Sequence, residues 1–512
     1  MCGILLYHGA GKEFCDELYE FGENYKGNIC RSSCTSSVFN SLVPYVASRG
    51  PNYSSLRVSH KHSMCWFSSV LSIRQPFTKQ SVRIGNRYIL QFNGELYNED
   101  IIQNDTAFFA SLLKTDAVDI IDKICSLEGE FAYTIYDMFT ANIYFGRDDV
   151  GKRSLSYFLL PGTGEIYISS ISGRQEGFND CAAGIIYIYN IQEKKLTQYI
   201  QPAVNKKVSS EINTDKTEIE SITNMLYGQL ASSVAKRVNS IHPIHLQNSP
   251  LAVLFSGGLD CSIITALICQ QLINKPSKQV VELLNVSFEN ARTGMKPCAT
   301  PDRKLAIRSA GILKKLYPEI DIRLVEVDVS YDEYLVKRPV VIDLMFPKNT
   351  EMDLSIAIAF YFASKGNGHI ELADGQRSEY QRQGVVLFSG LGADELYGGY
   401  HKFSKKSTAE LVAELTRQIN NIHDRNLNRD DKVTACHGVE MRYPFLDRQV
   451  IDFSLSRIPI NLKVNKLILR KLAMTKLALR GISEEPKRAI QFGSKSAKMT
   501  KEGNKHGTDL LE

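Results

Sequence analysis

Residues 253–262 read Val-Leu-Phe-Ser-Gly-Gly-Leu-Asp-Cys-Ser, and the rest of the chain can be understood outward from them. Leu251 to Phe255 is a short apolar run expected as a buried parallel strand; Gly257 and Gly258 stand at the turn, and Ser262 to Leu272 supplies a helix. A strand, a Ser256-Gly257-Gly258 turn and a helix N-terminus bring unpaired backbone N–H groups and the positive helix end to one point, which suits a phosphate. The two glycines let the backbone approach closely and adopt positive φ. No Lys lies between Ser256 and Ser262, so this is not a Walker loop built to transfer a γ-phosphoryl group. A grip on a pyrophosphate leaving group fits better, with Asp260 holding Mg²⁺ beside it. The same turn also serves as a plain structural corner, and motifs elsewhere decide between the two.

Downstream, apolar strands alternate with helical patterns. Strands are expected at Glu282 to Phe288, Ile322 to Val329 and Val385 to Phe388. Helices are expected at Ser221 to Val238, from Thr300-Pro301-Asp302 through Leu316, and at Met352 to Ser364. This β-α alternation is the signature of an α/β parallel sheet, whose ligands bind at the carboxyl ends of its strands. A second loop, Ser389-Gly390-Leu391-Gly392-Ala393-Asp394-Glu395, lies at such an end. Asp394 and Glu395 are either Mg²⁺ ligands beside a phosphate or an acidic pair favoured by a helix start.

The first half carries different chemistry. Cys2 follows the initiator Met1, so removal of Met1 leaves a thiol and a free α-amine on one residue. An α-amine with a pKa of about 7.7 can serve as base for its own side chain. Arg49-Gly50-Pro51-Asn52, Asn93-Gly94-Glu95-Leu96-Tyr97-Asn98 and Asn104-Asp105-Thr106 follow at intervals. Arg49 can fork onto an α-carboxylate, and Glu95 and Asp105 can accept from an α-ammonium. Asn93 and Gly94 can offer N–H groups to an oxyanion beside the Cys2 sulfur. The plainer alternative makes Asn-Gly a hairpin turn and Arg49 a surface charge.

Cys2, Arg-Gly-Pro, Asn-Gly-Glu-x-Tyr-Asn and Asp105, followed by Gly129-Glu130-Phe131-Ala132-Tyr133 and Phe145-Gly146-Arg147-Asp148, resemble the glutaminase domain of class II glutamine amidotransferases. That resemblance implies an α+β N-terminal-nucleophile (Ntn) hydrolase fold of packed antiparallel sheets, with Cys2, Asn93 and Gly94 catalytic and Arg49, Asn93, Gly94, Glu95 and Asp105 binding glutamine. The Ser-Gly-Gly-Leu-Asp loop, the second loop, Leu396-Tyr397-Gly398-Gly399-Tyr400 and the run 438–447, Gly-Val-Glu-Met-Arg-Tyr-Pro-Phe-Leu-Asp, resemble the asparagine synthetase domain, of the ATP pyrophosphatase type. The whole chain is similar to the asparagine synthetase domain-containing proteins. By that resemblance ATP adenylates an aspartate side chain and ammonia from glutamine displaces AMP. ATP would be held by Phe255, Ser256, Gly257, Gly258, Asp260, Ser262, Val286, Ser389 and Gly390, and Mg²⁺ by Asp260 and Asp394.

The resemblance has gaps. Asparagine synthetases usually have Ser-Gly-Glu-Gly in the second loop, where the Glu matters for the acyl-adenylate step; here that position is Leu391. The family's third basic residue near the end contacts the leaving phosphates, and here it is Ala489, leaving Lys487, Arg488 or Lys466 to neutralise pyrophosphate. Three readings remain: an asparagine-forming ligase, the same chemistry on another carboxylate acceptor, or a non-ligating regulator or scaffold that keeps the fold.

With 512 residues the chain exceeds what one core supports, and the polar stretch 201–219 marks a linker, giving domains 2–205 and 206–512. A net charge of +5 is too mild over this length for a nucleic-acid binder. Eleven cysteines show no Cys-x-x-Cys pairs, and Cys30 with Cys34 lacks a second pair for zinc. No run approaches a membrane span and no leader is evident, so a cytoplasmic protein with small-molecule substrates is expected, with no membrane or nucleic-acid partner; a homodimer is one assembly open to it. The polar tail from Lys495 to Glu512 is expected to be mobile.

Overall fold

The computed structural model describes residues 2–9, 17–27, 36–115, 119–202, 206–243, 245, 249–275, 279–372, 374–400, 406–499 and 506–511. Met1, Cys30 and Cys34 lie outside the described residues. The chain forms two compact units: Met1–Val204 with Ile342–Lys348 and His423–Glu440, and Asn205–Val341 with Asn349–Ile422 and Met441–Glu512. The boundary at 205/206 drawn from sequence leaves 342–348 and 423–440 with the second half. The fold gathers both segments into the first unit, where Lys432 pairs with Asp180 at 2.9 Å and donates to the Phe346 carbonyl at 2.8 Å.

Among the described residues the first unit contains thirteen strands in two antiparallel sheets. They are β1 (Gly3–His8), β2 (Glu17–Phe21), β3 (Tyr53–Ser59), β4 (Met64–Val70), β5 (Val82–Ile84), β6 (Tyr88–Leu96), β7 (Gly129–Asp137), β8 (Asn142–Arg147), β9 (Ser156–Leu159), β10 (Ile166–Ser169), β11 (Asn179–Asp180), β12 (Ile185–Asn190) and β13 (Lys195–Ile200). One sheet has the order β11-β9-β10-β1-β4-β3-β2 and the other β13-β12-β8-β7-β6-β5. Period-2 alternation explains the layering. Ile4 and Leu6 of β1 and Trp66 of β4 pack with Ile89, Tyr136 and Phe145 of the other sheet. Leu5 and Tyr7, on the opposite face of β1, pack on Phe39, Leu42 and Val43 of the helix Ser37–Ala47. Leu90 and Phe92 of β6 cover Phe109 and Leu113 of the helix Asp105–Leu113. Helix, sheet, sheet, helix is the layering of an Ntn hydrolase, and it buries β1, which follows Cys2 directly, on both faces.

The second unit is built on a seven-stranded sheet, β18-β17-β16-β15-β14-β19-β20. Its strands are β14 (Leu251–Leu254), β15 (Val280–Phe288), β16 (Asp321–Val329), β17 (Asn367–Glu371), β18 (Arg377–Gln381), β19 (Val386–Phe388) and β20 (Glu440–Arg442). β14 runs parallel to both β15 and β19, and β15 runs parallel to β16. The hairpin β17-β18, absent from the sequence reading, extends this core antiparallel and makes the sheet mixed. The helix after β14 spans Leu259–Leu272 and starts three residues before Ser262, because extended Gly258 is its N-cap. Asp260 therefore lies in its first turn.

The tail departs from expectation. Lys495 and Ala497 carbonyls accept from Asn290, Ser496 donates to the Ser355 carbonyl at 2.6 Å, and Met499 is buried. Farther on, Glu351 N–H donates to the Asp509 carbonyl at 2.9 Å and Leu511 N–H to the Asn349 carbonyl at 2.7 Å. The described tail is pinned through backbone groups, which composition does not encode. Among the described residues no helix is long and apolar enough to cross a membrane.

Candidate active sites

In the first unit, the backbone N–H of Cys2 donates to Asn93 Oδ1 at 2.8 Å. Asn93 and Gly94 sit inside β6 and not in a hairpin turn. The Asn93 Nδ2 is buried without a hydrogen-bond partner among the described residues, so one donor beside the cysteine is unspent. Gly94 has no room for a side chain: a Cβ there would lie 2.6 Å from Phe131 Cα on β7. Burial pushes the Cys2 thiol up, and Glu440 and Asp105 add to this against the lowering by the N-terminal charge and the Leu71 backbone. The thiol therefore needs a proton acceptor; with Met1 removed, the nitrogen held by Asn93 would be an α-amine able to serve as one.

Glu95 and Asp105 border the same cavity as Cys2 and Gly94. Asp105 opens its helix behind the N-cap Asn104 and accepts from Leu96 N–H at 3.0 Å. Burial first, and then Glu95, raise its carboxyl well above the usual range, against the lowering by Arg74 and the Leu96 N–H.

Arg49 requires a correction. It does not present its fork to this cavity. It is fully buried, with Nη2 on Asp431 Oδ2 at 2.8 Å, Nη1 on Ser154 Oγ at 3.4 Å and Nε on the Cys2 carbonyl at 3.3 Å. Its partner comes from 382 positions away. The Arg-Gly-Pro motif is thus a clamp on the backbone around Cys2: Gly50 leaves no room for a Cβ against Val70, and Pro51 bridges to Val70. The cation that reaches the cavity is Arg74, on Glu95 Oε1 at 2.5 Å and Asp105 Oδ1 at 3.3 Å.

Asp431 also lies within 4.0 Å of Arg153 and accepts from Ser154 Oγ at 2.6 Å. Burial alone would raise its carboxyl, but Arg49, Arg153 and Ser154 hold it below the ordinary range. Asp431→Ala strands Arg49 without its carboxylate, so it is expected to destabilise the first unit by about 3–5 kcal/mol. Urea titration of the variant against the wild type checks this.

In the second unit the two loops meet. A Cβ on Gly390 would lie 2.8 Å from the Asp260 Cβ, and one on Gly257, at φ +79°, would lie 2.6 Å from Ala306 backbone atoms. Phe255 N–H donates to the Leu284 carbonyl at 2.9 Å, and the Phe255 carbonyl accepts from Asn285 at 2.9 Å. Val286 follows on β15, and Ser389 Oγ accepts from Leu391 N–H at 3.2 Å. Gly258 caps its helix without a side-chain bond. Ser262 Oγ and Asp260 Oδ1 are buried without hydrogen-bond partners among the described residues. An uncapped helix start, an orphan hydroxyl and an orphan carboxylate oxygen fit the phosphates of ATP and their cation.

Asp260 and Asp394, the pair expected on Mg²⁺, instead meet on one ammonium. Lys466 Nζ is 2.5 Å from Asp260 Oδ2 and 2.7 Å from Asp394 Oδ1, and Lys487 Nζ is 2.6 Å from Asp394 Oδ2. Burial would raise Asp394, but Lys466 and Lys487 hold it well below the usual carboxylate range. Among the described residues no three His, Cys, Asp or Glu side chains form a metal cage. Mg²⁺ bound through phosphates needs only one or two carboxylates, so the aspartates still suit it. Lys466 and its neighbour Asn465 both have positive φ, +59° and +53°, a strained backbone pair that turns Lys466 inward. Arg488 faces Asp302 at 3.9 Å, which leaves Lys466 and Lys487 as the cations at the loops.

Asp302 is nine-tenths buried or more, and burial pushes its carboxyl up to about 7 despite Arg488, Lys487 and Lys495. A folded-state value above the ordinary one, about 3.9, means that stability is full below pH ~4 and is lost as pH rises toward 7. Asp302→Asn is expected to stabilise the protein at pH 8 by up to about 4 kcal/mol and hardly at all at pH 4. Thermal melts at the two pH values read the difference.

The glutamine amidotransferase domain family matches residues 67–173, and the asparagine synthase family matches residues 404–512. The chain is 59% identical to an asparagine synthetase domain-containing protein of Saccharomyces cerevisiae, across 100% of this chain and 99% of that protein. It is 28% identical to asparagine synthetase domain-containing protein 1 of Gallus gallus, across 89% and 94%. With the glutamine-hydrolysing asparagine synthetase of Pongo abelii it shares 25% identity across 88% and 81%. The chain belongs to the family of asparagine synthetase domain-containing proteins.

Proposed function

We propose that the chain is a glutamine-dependent, ATP-consuming amide ligase. Cys2 releases ammonia from glutamine, and the second unit uses ATP to activate a carboxylate that the ammonia converts to an amide, with AMP and pyrophosphate as by-products. The observation that carries this reading is the Cys2 nitrogen resting on Asn93, whose other amide atom is a spare buried donor. That one side chain orients the base and awaits an oxyanion. In the second unit the loops around Gly257 and Gly390 would hold the triphosphate, Ser262 would donate to it, and Asp260 and Asp394 would take Mg²⁺. Bound Mg²⁺ would neutralise phosphate charge, and Lys466 and Lys487 would receive the departing pyrophosphate.

Aspartate is the acceptor that the family resemblance favours. Glutamine, ATP, Mg²⁺ and aspartate should then give glutamate, AMP, pyrophosphate and asparagine in equal amounts; glutamate without AMP would reduce the protein to a glutaminase. One observation favours another acceptor. Leu391 offers no carboxylate, Asp394 is occupied by two lysines, and Glu395 accepts from Tyr400 at 2.9 Å. A panel of carboxylic acids screened for acid-dependent pyrophosphate release separates the two, since only one acid should stand out.

A further inference from the structure

The end of the first unit opposite Cys2 carries a cavity of about 660 Å³, within the usual range of roughly 300–1,000 Å³ for a small-molecule site. Strand β1 runs from Gly3, next to Cys2, to His8, and His8 pairs with Met64 just after the turn that holds Lys61. Both sheets line the cavity: Leu18, Arg57 and Lys61 come from the strands and turn of the first, and Arg83, Ile89 and Phe139 from those of the second. The cations there are unbalanced. Arg57 spends its guanidinium on neutral oxygens just before β5, Nε on Ser81 Oγ at 2.9 Å and Nη2 on the Ser81 carbonyl at 3.2 Å. Arg83 does the same, with Nε on the Gly85 carbonyl at 3.2 Å and Nη2 on Asn86 Oδ1 at 3.3 Å. Among the described residues neither guanidinium nor Lys61 has a carboxylate partner, whereas nearby Arg87 has Asp137 at 3.3 Å. Burial first, and then the Arg83 charge, hold Arg57 below the ordinary guanidinium value, against the raising by Tyr53. The carboxylate on the lining, Glu17, accepts from the Tyr19 hydroxyl.

We propose that this cavity is a second ligand site, which binds a phosphate monoester with an aromatic or apolar group: the phosphate sits among Arg57, Arg83 and Lys61, and the organic group lies against Phe139 and Leu18. Three cations facing one carboxylate leave an excess of two positive charges on the lining. A phosphate dianion matches that excess and its oxygens accept from more than one fork at once, whereas a single carboxylate meets half of it. The organic part follows from what the walls expose. Phe139 is 71% exposed and Leu18 50%, apolar surface left in water above the buried Val58 and Ile89. Arg87 lies 5.7 Å from the Phe139 ring centroid and steadies the ring. Nucleoside monophosphates belong to this class, and AMP, the by-product of the reaction proposed above, is one that the protein would meet. The cavity and its charges are the same whether or not the second unit ligates anything, since every lining residue belongs to the first unit. A bound phosphate would end the repulsion between Arg57 and Arg83 and tie the two sheets together at this end.

Titration calorimetry of the full chain tests this above neutral pH, where the ester is a dianion, with phenyl phosphate, AMP, inorganic phosphate and benzoate as probes. Wild type should bind phenyl phosphate more tightly than inorganic phosphate, which lacks the ring, and than benzoate, which lacks the second charge. Arg83→Glu should weaken phenyl phosphate about 10- to 100-fold, the loss of a charge-assisted contact, and Lys61→Glu, at an exposed turn, should weaken it in the same direction. Phe139→Ala should weaken phenyl phosphate about 3- to 10-fold and leave inorganic phosphate unchanged. Lys466→Met should bind phenyl phosphate as wild type does, and should keep the part of AMP binding that Arg83→Glu removes. Melting curves without ligand separate a structural role from a binding one. An Arg83 needed for the fold would lower the transition when replaced, whereas relief of its repulsion with Arg57 predicts that Arg83→Glu melts no lower than wild type. No saturable binding of phenyl phosphate or AMP at millimolar concentration overturns the site, as does equal binding by wild type and both charge variants. Loss of phenyl phosphate binding in Lys466→Met with retention in Arg83→Glu also overturns it, by moving the ester to the loops of the second unit. Benzoate bound as tightly as phenyl phosphate overturns the choice of phosphate.

Discussion

Cys2→Ala is expected to remove glutamine hydrolysis, lowering glutamate release by about 10⁴-fold or more, as loss of a catalytic nucleophile does. The fold should survive. Cys2 packs with Tyr53 and Val70 in a small cluster at the start of β1, and deleting one sulfur leaves a small cavity costing about 1 kcal/mol. The base and the oxyanion donors stay in place, because the Cys2 nitrogen and Asn93 do not depend on the thiol. Ammonium-driven consumption of ATP should then proceed at the wild-type rate, since the second unit receives its nitrogen directly. Glutamate release persisting in the variant would put the nucleophile elsewhere.

The second large effect is expected at Lys466. This ammonium is nearly inaccessible and neutralises Asp260 and Asp394 together, beside the two loops proposed to hold the polyphosphate. Lys466→Met would leave Asp260 without its cation and Asp394 with Lys487 alone. Two carboxylates with one remaining lysine repel a triphosphate and offer less positive charge to the leaving pyrophosphate. Pyrophosphate release should fall about 10²- to 10³-fold, the usual loss for one preorganised electrostatic contact. Stability of the second unit also suffers from the uncompensated carboxylates, so rates are read below the variant's own melting transition. Glutamate release by the same preparation should match wild type. Retained pyrophosphate release would move the phosphate grip away from these loops.

Much of this was legible in local sequence. The Ser-Gly-Gly turn between an apolar strand and an apolar helix, and the second Gly-rich loop, both fall at strand ends as β-α alternation requires. Asn93, Gly94, Glu95 and Asp105 converge because β6 and the helix Asp105–Leu113 follow each other closely in the chain, and Cys2 joins them from the start of β1 in the facing sheet, 91 positions from Asn93. Arg49 misled because a cation in a motif does not reveal its partner. Asp431 reaches it from the far half of the chain, and no local pattern announces such a pair. Arg74 left one faint signal, being the lone charge in the otherwise uncharged stretch 63–78. A single charge amid apolar neighbours costs stability unless something receives it, and Glu95 and Asp105 do. Lys466 was a candidate among three basic residues. Only the left-handed backbone at Asn465 and Lys466 turns it toward the loops, a conformation that side-chain identity would not suggest.

The central claim is that the second unit activates a carboxylate with ATP. The direct measurement supplies Cys2→Ala protein with ATP, Mg²⁺, ammonium chloride and aspartate, and follows AMP, pyrophosphate and asparagine together, with ATP binding confirmed in the same preparation. The expected result is equal formation of all three, dependent on aspartate. ATP bound without any acid-dependent pyrophosphate, across aspartate and a panel of other carboxylic acids, would contradict the ligase account and leave a nucleotide-binding regulator in its place.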